Sequence, residues 1–431
     1  MEIFCVNHDG KRDITQLAWA VFGNLDGKII STKIEDRIET RIFFAGEEFV
    51  ENSDYHEKND AKRSLYRCAK KIRDFDTPWG ILTGINPAKL AQNNYCKEDF
   101  MQKYLVSSKR ADLCKEVWDF TKSVDVCTED LSIYISIPFC KSKCKYCSFV
   151  SNSIDTANKY MKKYVECLIC ELETVAKLIK NRKLRTIYIG GGTPTALDLD
   201  DFSKLLACVS KNFSFENLQE FTVEAGRVDT ITQEKLSVMK KENVTRISIN
   251  PQVFDDEILT KIGRKHTCQD VYDIYEKAQK MNFDAINMDI IYGLGGDFSK
   301  TVDEVLRLFP ENVTMHTLAI KKGSMIDKTY TEDFGDINYF YDRIFDHYKP
   351  YYMYKQQYMI KPYENVGFSR DGKECLYNVY MMENLMDILA VGSGSTSKIS
   401  GESLFNNKYP LDYINNIEEI VKKKILILKK G

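Results

Sequence analysis

The chain has 431 residues, 43% hydrophobic and 12% aromatic, with 61 Lys and Arg against 63 Asp and Glu for a net charge of −2. This composition excludes a disordered chain and suffices for two or three domains, and the even charge balance excludes bulk attraction to nucleic acid or an anionic membrane. Any anionic ligand must then meet a local basic patch. The first residues, MEIFCVNHDGKRD, lack the basic-then-apolar order of a signal peptide, and no apolar run reaches the roughly 18 residues of a membrane span. A cytoplasmic enzyme with no nucleic-acid or membrane partner is the expectation. Thirteen scattered cysteines point to reduced thiols rather than a disulfide framework.

Residues 1–125 carry no recognisable catalytic motif and read as an α+β accessory domain. Residues 39–44, ETRIFF, predict a strand. Residues 59–74 predict a helix with Leu65, Ala69 and Ile72 on one face and Lys62, Arg63, Lys70 and Arg73 on a solvated remainder. WGILTGINPAKL, residues 79–90, sets two glycines and a proline in an apolar context and reads as a fixed turn against the core.

The chain then changes character. LSIYISIPFCKSKCKYCSFV, residues 131–150, begins as a buried strand and breaks at Pro138 into a loop holding Cys140, Cys144 and Cys147. The C-x3-C-x2-C spacing gathers three soft thiolates, enough for three corners of a cubic iron–sulfur cluster with one iron left open to a small molecule. A zinc site completed by Cys127 or a distant histidine, or a set of inert buried thiols, are the other readings.

From residue 132 strands alternate with amphipathic helices, the signature of a parallel sheet or β/α barrel. The predicted strands cover residues 132–137, 185–189, 220–224, 246–249, 285–291 and 312–318, with helices at 159–178 and 271–281 among the connections. In such a barrel reacting groups sit at the carboxyl ends of the strands, where each polar motif falls. The second strand runs into Gly190-Gly191-Gly192-Thr193-Pro194-Thr195, either a ligand loop or a plain turn. The third ends in Glu224, a carboxylate able to accept both hydroxyls of a ribose or to pair with Arg227 or Arg246. The fourth ends in Asn250-Pro251-Gln252, Arg264 follows, Asp289 lies on the fifth, and His316 on the sixth is a proton donor, a packing histidine or a substrate contact.

Farther on, Cys167 and Cys170 read as buried core thiols on a helix. Residues 342–358, DRIFDHYKPYYMYKQQY, read as a substrate-facing wall or a core element. Gly392 to Ser397, GSGSTS, reads as a flexible turn over the site or a plain loop, and IEEIVKKKILILKKG, residues 417–431, as a solvated terminal helix or strand.

Taken together, YISIPFCKSKCKYCSF, GGGTPT, VEAGR, RISINPQ, GRKH and MDIIYGL resemble the radical S-adenosylmethionine (SAM) superfamily, in particular its oxygen-independent coproporphyrinogen III oxidase family. WGILTGINPAKL, MHTLAIKKGS, ENVGFS and GSGSTSK extend the resemblance to the HemZ-type branch, the coproporphyrinogen dehydrogenases. The resemblance implies a partial (β/α)6 TIM-like barrel over residues 126–335, between the amino-terminal α+β domain and a carboxyl-terminal domain, residues 336–431, covering the substrate side. It implies a [4Fe-4S] cluster on Cys140, Cys144 and Cys147. It also implies SAM contacts from Tyr134, Tyr146, Gly191, Gly192, Thr193, Glu224, Gln252, Arg264 and Asp289, the last three lining the SAM sites that include a second SAM. Glu224 and Tyr134 are the implied catalytic residues. The implied chemistry starts with an electron from a low-potential donor such as flavodoxin or ferredoxin, proceeds through a 5′-deoxyadenosyl radical and converts propionates of a tetrapyrrole, coproporphyrinogen III, to vinyl groups with loss of carbon dioxide. A relative that opens or methylates a tetrapyrrole ring, or a haem-binding chaperone on the same barrel, would keep these motifs. Two positions depart from the family. Ser136 stands where a histidine is frequent, which puts a cluster-side contact in doubt, and Gly293-Leu294-Gly295-Gly296 replaces Gly-Leu-Pro-Gly, which loosens the loop while leaving its course possible.

Overall fold

Period-two alternation in the amino-terminal residues builds a small sheet with one covered face. The computed structural model describes all residues except 24, 76, 84–85, 92–94, 150–151, 322, 327–333, 357 and 429–431. Gly84 and Ile85 of the WGILTGINPAKL stretch, Val150 of the cysteine stretch, Lys322, Gln357 and the last three residues thus lie outside the described residues. Strands β1 (Glu2–Val6), β2 (Lys28–Ile34), β3 (Arg37–Phe44) and β4 (Glu47–Asp54) lie in that order, β1 parallel to β2 and the rest antiparallel. Helices α1 (Lys11–Phe22) and α2 (Lys58–Lys70) bury Ile14, Leu17, Leu65 and Ala69 against Ile29, Ile38 and Ile42. The predicted helix over 59–74 stops early, as Lys70 turns its amine onto Asp74 and the Phe75 carbonyl. Lys62 is not on a solvated face: α1 lies beside it with Asp13, and burial pulls its ammonium pKa down. Gly80 has φ +53°, and a Cβ there would sit 2.2 Å from the Tyr104 carbonyl oxygen, so the turn after the buried Trp79 is fixed by glycine.

Helices α3 (Lys97–Tyr104) and α4 (Ser108–Ser123) lead into the second, larger sheet. It starts with β5 (Asp130–Ile137), followed by a short strand pair, β6 (Phe139–Cys140) and β7 (Asn152–Ser153). Then come α5 (Ile154–Leu178), β8 (Lys183–Gly191), α6 (Leu199–Asn212), β9 (Glu220–Val223), α7 (Gln233–Lys241), β10 (Arg246–Ser248), α8 (Asp256–Lys261), α9 (Cys268–Lys280), β11 (Ala285–Tyr292), α10 (Phe298–Leu308) and β12 (Asn312–Thr317). The six predicted strands are all present, their ends shifted by one or two residues.

After residue 335 the chain adds α11 (Ile337–Ile344), β13 (Lys349–Tyr354), β14 (Asn365–Ser369), α12 (Leu376–Glu383), β15 (Asp387–Val391), β16 (Thr396–Ile399), β17 (Glu402–Phe405), α13 (Pro410–Asn415) and α14 (Ile417–Leu428). Its strands join the same sheet, in the order β13-β14-β12-β11-β10-β9-β8-β5-β15-β16-β17. From β12 to β15 all neighbours are parallel, and β15 is a further parallel strand beside β5. The fold is α/β, a parallel-rich sheet with additional parts at both termini.

Alternation along β5 explains its burial. Ile133, Ile135 and Ile137 face the helices in the main core, leaving Ser132, Tyr134 and Ser136 on the concave side. On that side Tyr377 of α12 stacks on Tyr188 at 4.5 Å and on Tyr134 at 6.1 Å between ring centroids. The Glu220 carboxylate accepts from the Leu376 and Tyr377 N–H groups, so α12 is capped by the start of β9. Tyr351 and Tyr352 are buried in the same aromatic cluster, so within residues 342–358 the strand β13 is core, while Asp342, Arg343, Phe345 to His347 and Tyr358 are exposed.

Cys167 is buried and Cys170 is exposed, and all thirteen cysteines are free thiols. The residue that matters most on α5 is Glu171, with no solvent exposure. Its carboxylate accepts from Gly392 N–H at 2.8 Å, Asn406 Nδ2 at 3.1 Å and Tyr413 Oη at 2.5 Å, and pairs with the ammonium of Lys424, itself 1% exposed. The terminal helix is thus docked on α5 by one face, that of Ile420 and Lys424, with Glu418, Glu419, Lys422, Lys423 and Leu426 exposed on the other, and Gly392 of the GSGSTS segment is bonded to the same carboxylate. Glu171→Ala, which strands a buried ammonium, is expected to cost about 3–5 kcal/mol, and Glu171→Leu combined with Lys424→Met to recover part of that. Urea denaturation midpoints of the two variants check it.

Candidate functional site

The carboxyl ends of β5 and β8 meet with backbone against backbone. Gly192 N–H donates to the Ile137 carbonyl at 2.7 Å and Thr193 N–H to the Phe139 carbonyl at 2.8 Å. A Cβ at Gly192 would lie 2.6 Å from the Phe139 oxygen, and one at Gly190 would lie 2.7 Å from Glu224 Oε2. The glycine run is therefore what lets the strand ends converge. It delivers Thr193 Oγ1 to 3.5 Å from Cys140 Sγ.

The cysteine loop is held from two further directions. Cys147 N–H donates to the Cys144 carbonyl, and Lys145 N–H donates to Ile262 while its own carbonyl accepts from Met325 N–H at 2.6 Å. Arg264, 7% exposed, donates to Tyr146 Oη at 2.7 Å and to the Gly226 carbonyl at 2.8 Å. Arg227, 3% exposed, donates to the Ser142 carbonyl at 3.0 Å and to Cys144 Sγ at 3.3 Å, with Asp229 balancing its charge at 3.0 Å. Burial raises the Cys147 thiol pKa, and Cys144 and Cys140 are near enough to raise it further. Among the described residues no three metal-binding side chains converge on one point. Cys140, Cys144 and Cys147 nonetheless offer three soft thiolates from one loop, each for a separate iron, and this donor chemistry fits a cuboidal cluster.

Two carboxylates stand on the same rim. Glu224, half-buried, accepts from Tyr188 Oη at 2.5 Å and from Gly191 N–H at 3.2 Å. It pairs with neither arginine that the sequence offered: Arg227 turns to Asp229, and Arg246 lies 3.7 Å from Glu220. Asp289 accepts from Asn250 Nδ2 and Asn287 Nδ2, each at 2.7 Å, with His316 Nε2 at 3.7 Å. His316 in turn has Tyr354 Oη at 3.4 Å from Nδ1. Burial pushes the Glu224 carboxyl up to about 7, with the charge of Asp289 adding to it. Burial acts the same way on Asp289, but His316 and Asn287 outweigh it and hold that carboxyl below its usual range. Neighbouring acids whose affinities for a proton are pushed apart mark a site with divided roles.

Of the other predicted residues, Gln252 adopts φ +69° with its side-chain Oε1 buried and without a hydrogen-bond partner among the described residues, an acceptor left for a ligand. Tyr134 sits in the ring stack with Tyr188 and Tyr377, one residue pair below the rim, and its described contacts do not include a cysteine. Ser136 donates to the Ser393 carbonyl at 2.9 Å, so the GSGSTS segment fills the space beside it and is buried rather than loose. Gly295 has φ +110°, which proline cannot reach, so the glycine that stands where the family has proline is what this loop's conformation requires. Sequence reasoning missed Tyr188 as the partner of Glu224 and Arg227 as the partner of Cys144. Tyr188 was legible from alternation with Gly190; for Arg227 the sequence carries no signal beyond proximity to Glu224.

The radical SAM superfamily pattern matches residues 134–309. The oxygen-independent coproporphyrinogen-III oxidase-like protein HemZ of Bacillus subtilis is 34% identical over 398 residues, 82% of this chain and 77% of that protein. The heme chaperone HemW of the same organism is 30% identical over 295 residues, 67% of this chain and 76% of that one. Among solved structures, coproporphyrinogen III oxidase (HemN) from Escherichia coli, a radical SAM enzyme, shares the fold with a TM-score of 0.52 at 22% identity over 72% of each chain. Since the match to the Bacillus HemZ protein takes in more than the barrel, the chain belongs to the radical SAM superfamily, which uses a 4Fe–4S cluster and SAM, and within it to the oxygen-independent coproporphyrinogen III oxidase-like proteins.

Proposed function

We propose that the protein is a radical SAM oxidoreductase that converts propionate side chains of coproporphyrinogen III to vinyl groups without oxygen, giving protoporphyrinogen IX. The observation that supports this most is the resemblance to the HemZ protein across 82% of the chain, which takes in more than the radical SAM barrel. In this reading Cys140, Cys144 and Cys147 hold the cluster. When bound, cluster and SAM supply one-electron cleavage of SAM to a 5′-deoxyadenosyl radical. Gly191, Gly192 and Thr193 face the methionine end of SAM, and Glu224, fixed by Tyr188, accepts its ribose hydroxyls. Arg264 orients Tyr146, whose backbone meets SAM, while Gln252 and Asp289 line the same mouth and any second SAM. Tyr134 supports that mouth through the ring stack. Each vinyl group formed releases one hydrogen atom, one electron and one carbon dioxide from a propionate. The carboxyl-terminal domain covers the substrate side and keeps water from the radical.

A second reading is supported by the 30% identity to the Bacillus protein named heme chaperone HemW: haem binding on the same fold without decarboxylation. Anaerobic reconstitution with iron and sulfide, followed by product analysis, separates the two. Vinyl products and carbon dioxide are expected; tight haem binding without turnover supports the chaperone, and a linear or methylated tetrapyrrole points to ring chemistry instead. Alanine at any one of the three cysteines is expected to abolish SAM cleavage and lower bound iron.

Glu224 gives a pH test. Its folded carboxyl keeps a proton up to about 7 against an ordinary 4.5, so the native state binds more protons in that window and stability falls as pH rises through it. The ligand-free protein is therefore expected to lose denaturation midpoint relative to Glu224→Gln between about pH 5 and pH 8. The same variant is expected to bind SAM roughly 10–100-fold more weakly by equilibrium dialysis, the worth of hydrogen bonds to a charged acceptor.

A further inference from the structure

The overall charge is −2, yet the outer side of the cysteine loop is basic. Lysines alternate with the cysteines, and Lys141, Lys143 and Lys145 are all exposed. Lys265 joins them from the loop carrying Arg264, where Gly263 lies against the Lys143 carbonyl. Among the described residues these four amines make one ion pair, Lys141 with Asp229 at 3.6 Å, and Lys143 donates instead to the Gly323 carbonyl. Two large apolar side chains stand in the patch, Phe149 at 71% exposed and Met325 at 58%. An exposed aromatic on the same loop as a run of like charges is the composition of a docking surface, with an apolar contact and a steering charge.

We propose that this face is where a small acidic redox protein docks to deliver the electron, a reading that rests on the three cysteines holding the cluster. The carrier is oxidised by one electron, the cluster is reduced by one, and no atom is transferred. Electron transfer weakens steeply with distance, and this face is the exposed side of the loop that itself bears the three sulfurs. The alternation of Lys with Cys serves both ends: Cys140 meets Thr193 and Cys144 meets Arg227 on the inner side, while Lys141, Lys143 and Lys145 are exposed to an anionic partner. A net charge near zero gives the molecule as a whole no such pull, so the patch also orients the encounter.

The test uses the full chain loaded anaerobically with iron and sulfide, following bleaching of cluster absorbance. With reduced flavodoxin, a small acidic carrier, the rate is expected to fall steeply with ionic strength. In Lys143→Glu/Lys145→Glu it is expected to be at least about tenfold slower at low salt, with most of the salt dependence gone. Photoreduced 5-deazariboflavin, small and uncharged, is expected to reduce both proteins equally. The milder Lys143→Gln/Lys145→Gln pair is expected to show a smaller loss of the same kind. Equal flavodoxin rates and salt slopes in wild type and variants overturn the proposal, as does equal slowing with both reductants in the Gln pair. Failure of the underlying reading looks different: the wild-type protein then takes up no iron.

Discussion

The rim depends on one close approach, the backbone of β8 against that of β5 where both strands end. No side chain fits between Gly192 and Phe139, and the 2.7 Å bond from Gly192 N–H to Ile137 leaves no slack. Because the strands are parallel and in register from Ser132 to Ile137, this contact sets the height of the cysteine loop relative to Thr193 and Glu224. A residue with a Cβ at Gly192 would push the loop off the barrel mouth. The glycine run is thus first a packing requirement, and its openness to a ligand comes with it.

Charge on the rim is segregated. Guanidinium groups of Arg227 and Arg264 lie under the cysteine loop, and the carboxylates of Glu224 and Asp289 stand across the mouth. The buried cations face thiolates and a phenol, while the acids are bonded by Tyr188, Asn250 and Asn287 rather than by the cations. Had Arg227 paired with Glu224, both ends would have been neutralised. Asp229 prevents this by taking both Nε and Nη2 of Arg227. A site so arranged offers negative charge to the hydroxyl-bearing end of a ligand and positive charge to the sulfur-bearing loop.

Much of this was legible from residues. Strand positions followed from β-branched runs and alternation, and the polar motifs at strand ends announced a shared rim. Less legible was whatever depends on distant segments meeting. The extra strand β15 falls within what reads as a separate carboxyl-terminal domain, because nothing in DILAV specifies which edge it will join. Lys62 and Lys424 carry the composition of surface residues and are buried by segments far away in sequence, Lys62 beside α1 and Lys424 against Glu171 of α5. GSGSTS has the content of a loose turn, but Gly392 sits where a Cβ would lie 2.6 Å from the Ser136 carbonyl, so its glycine reports confinement rather than mobility. Glycine content alone cannot distinguish the two.

The docking of Glu171 has a consequence for cooperativity. Its partners Gly392, Asn406, Tyr413 and Lys424 lie 221 or more positions away along the chain. Without them a carboxylate destined for the interior has no counter-ion, and the helix bearing it cannot settle against the parallel strands without stranding a charge. Helix α5 and the segment from Gly392 to Lys424 are therefore bound into one unfolding unit, however distant in sequence.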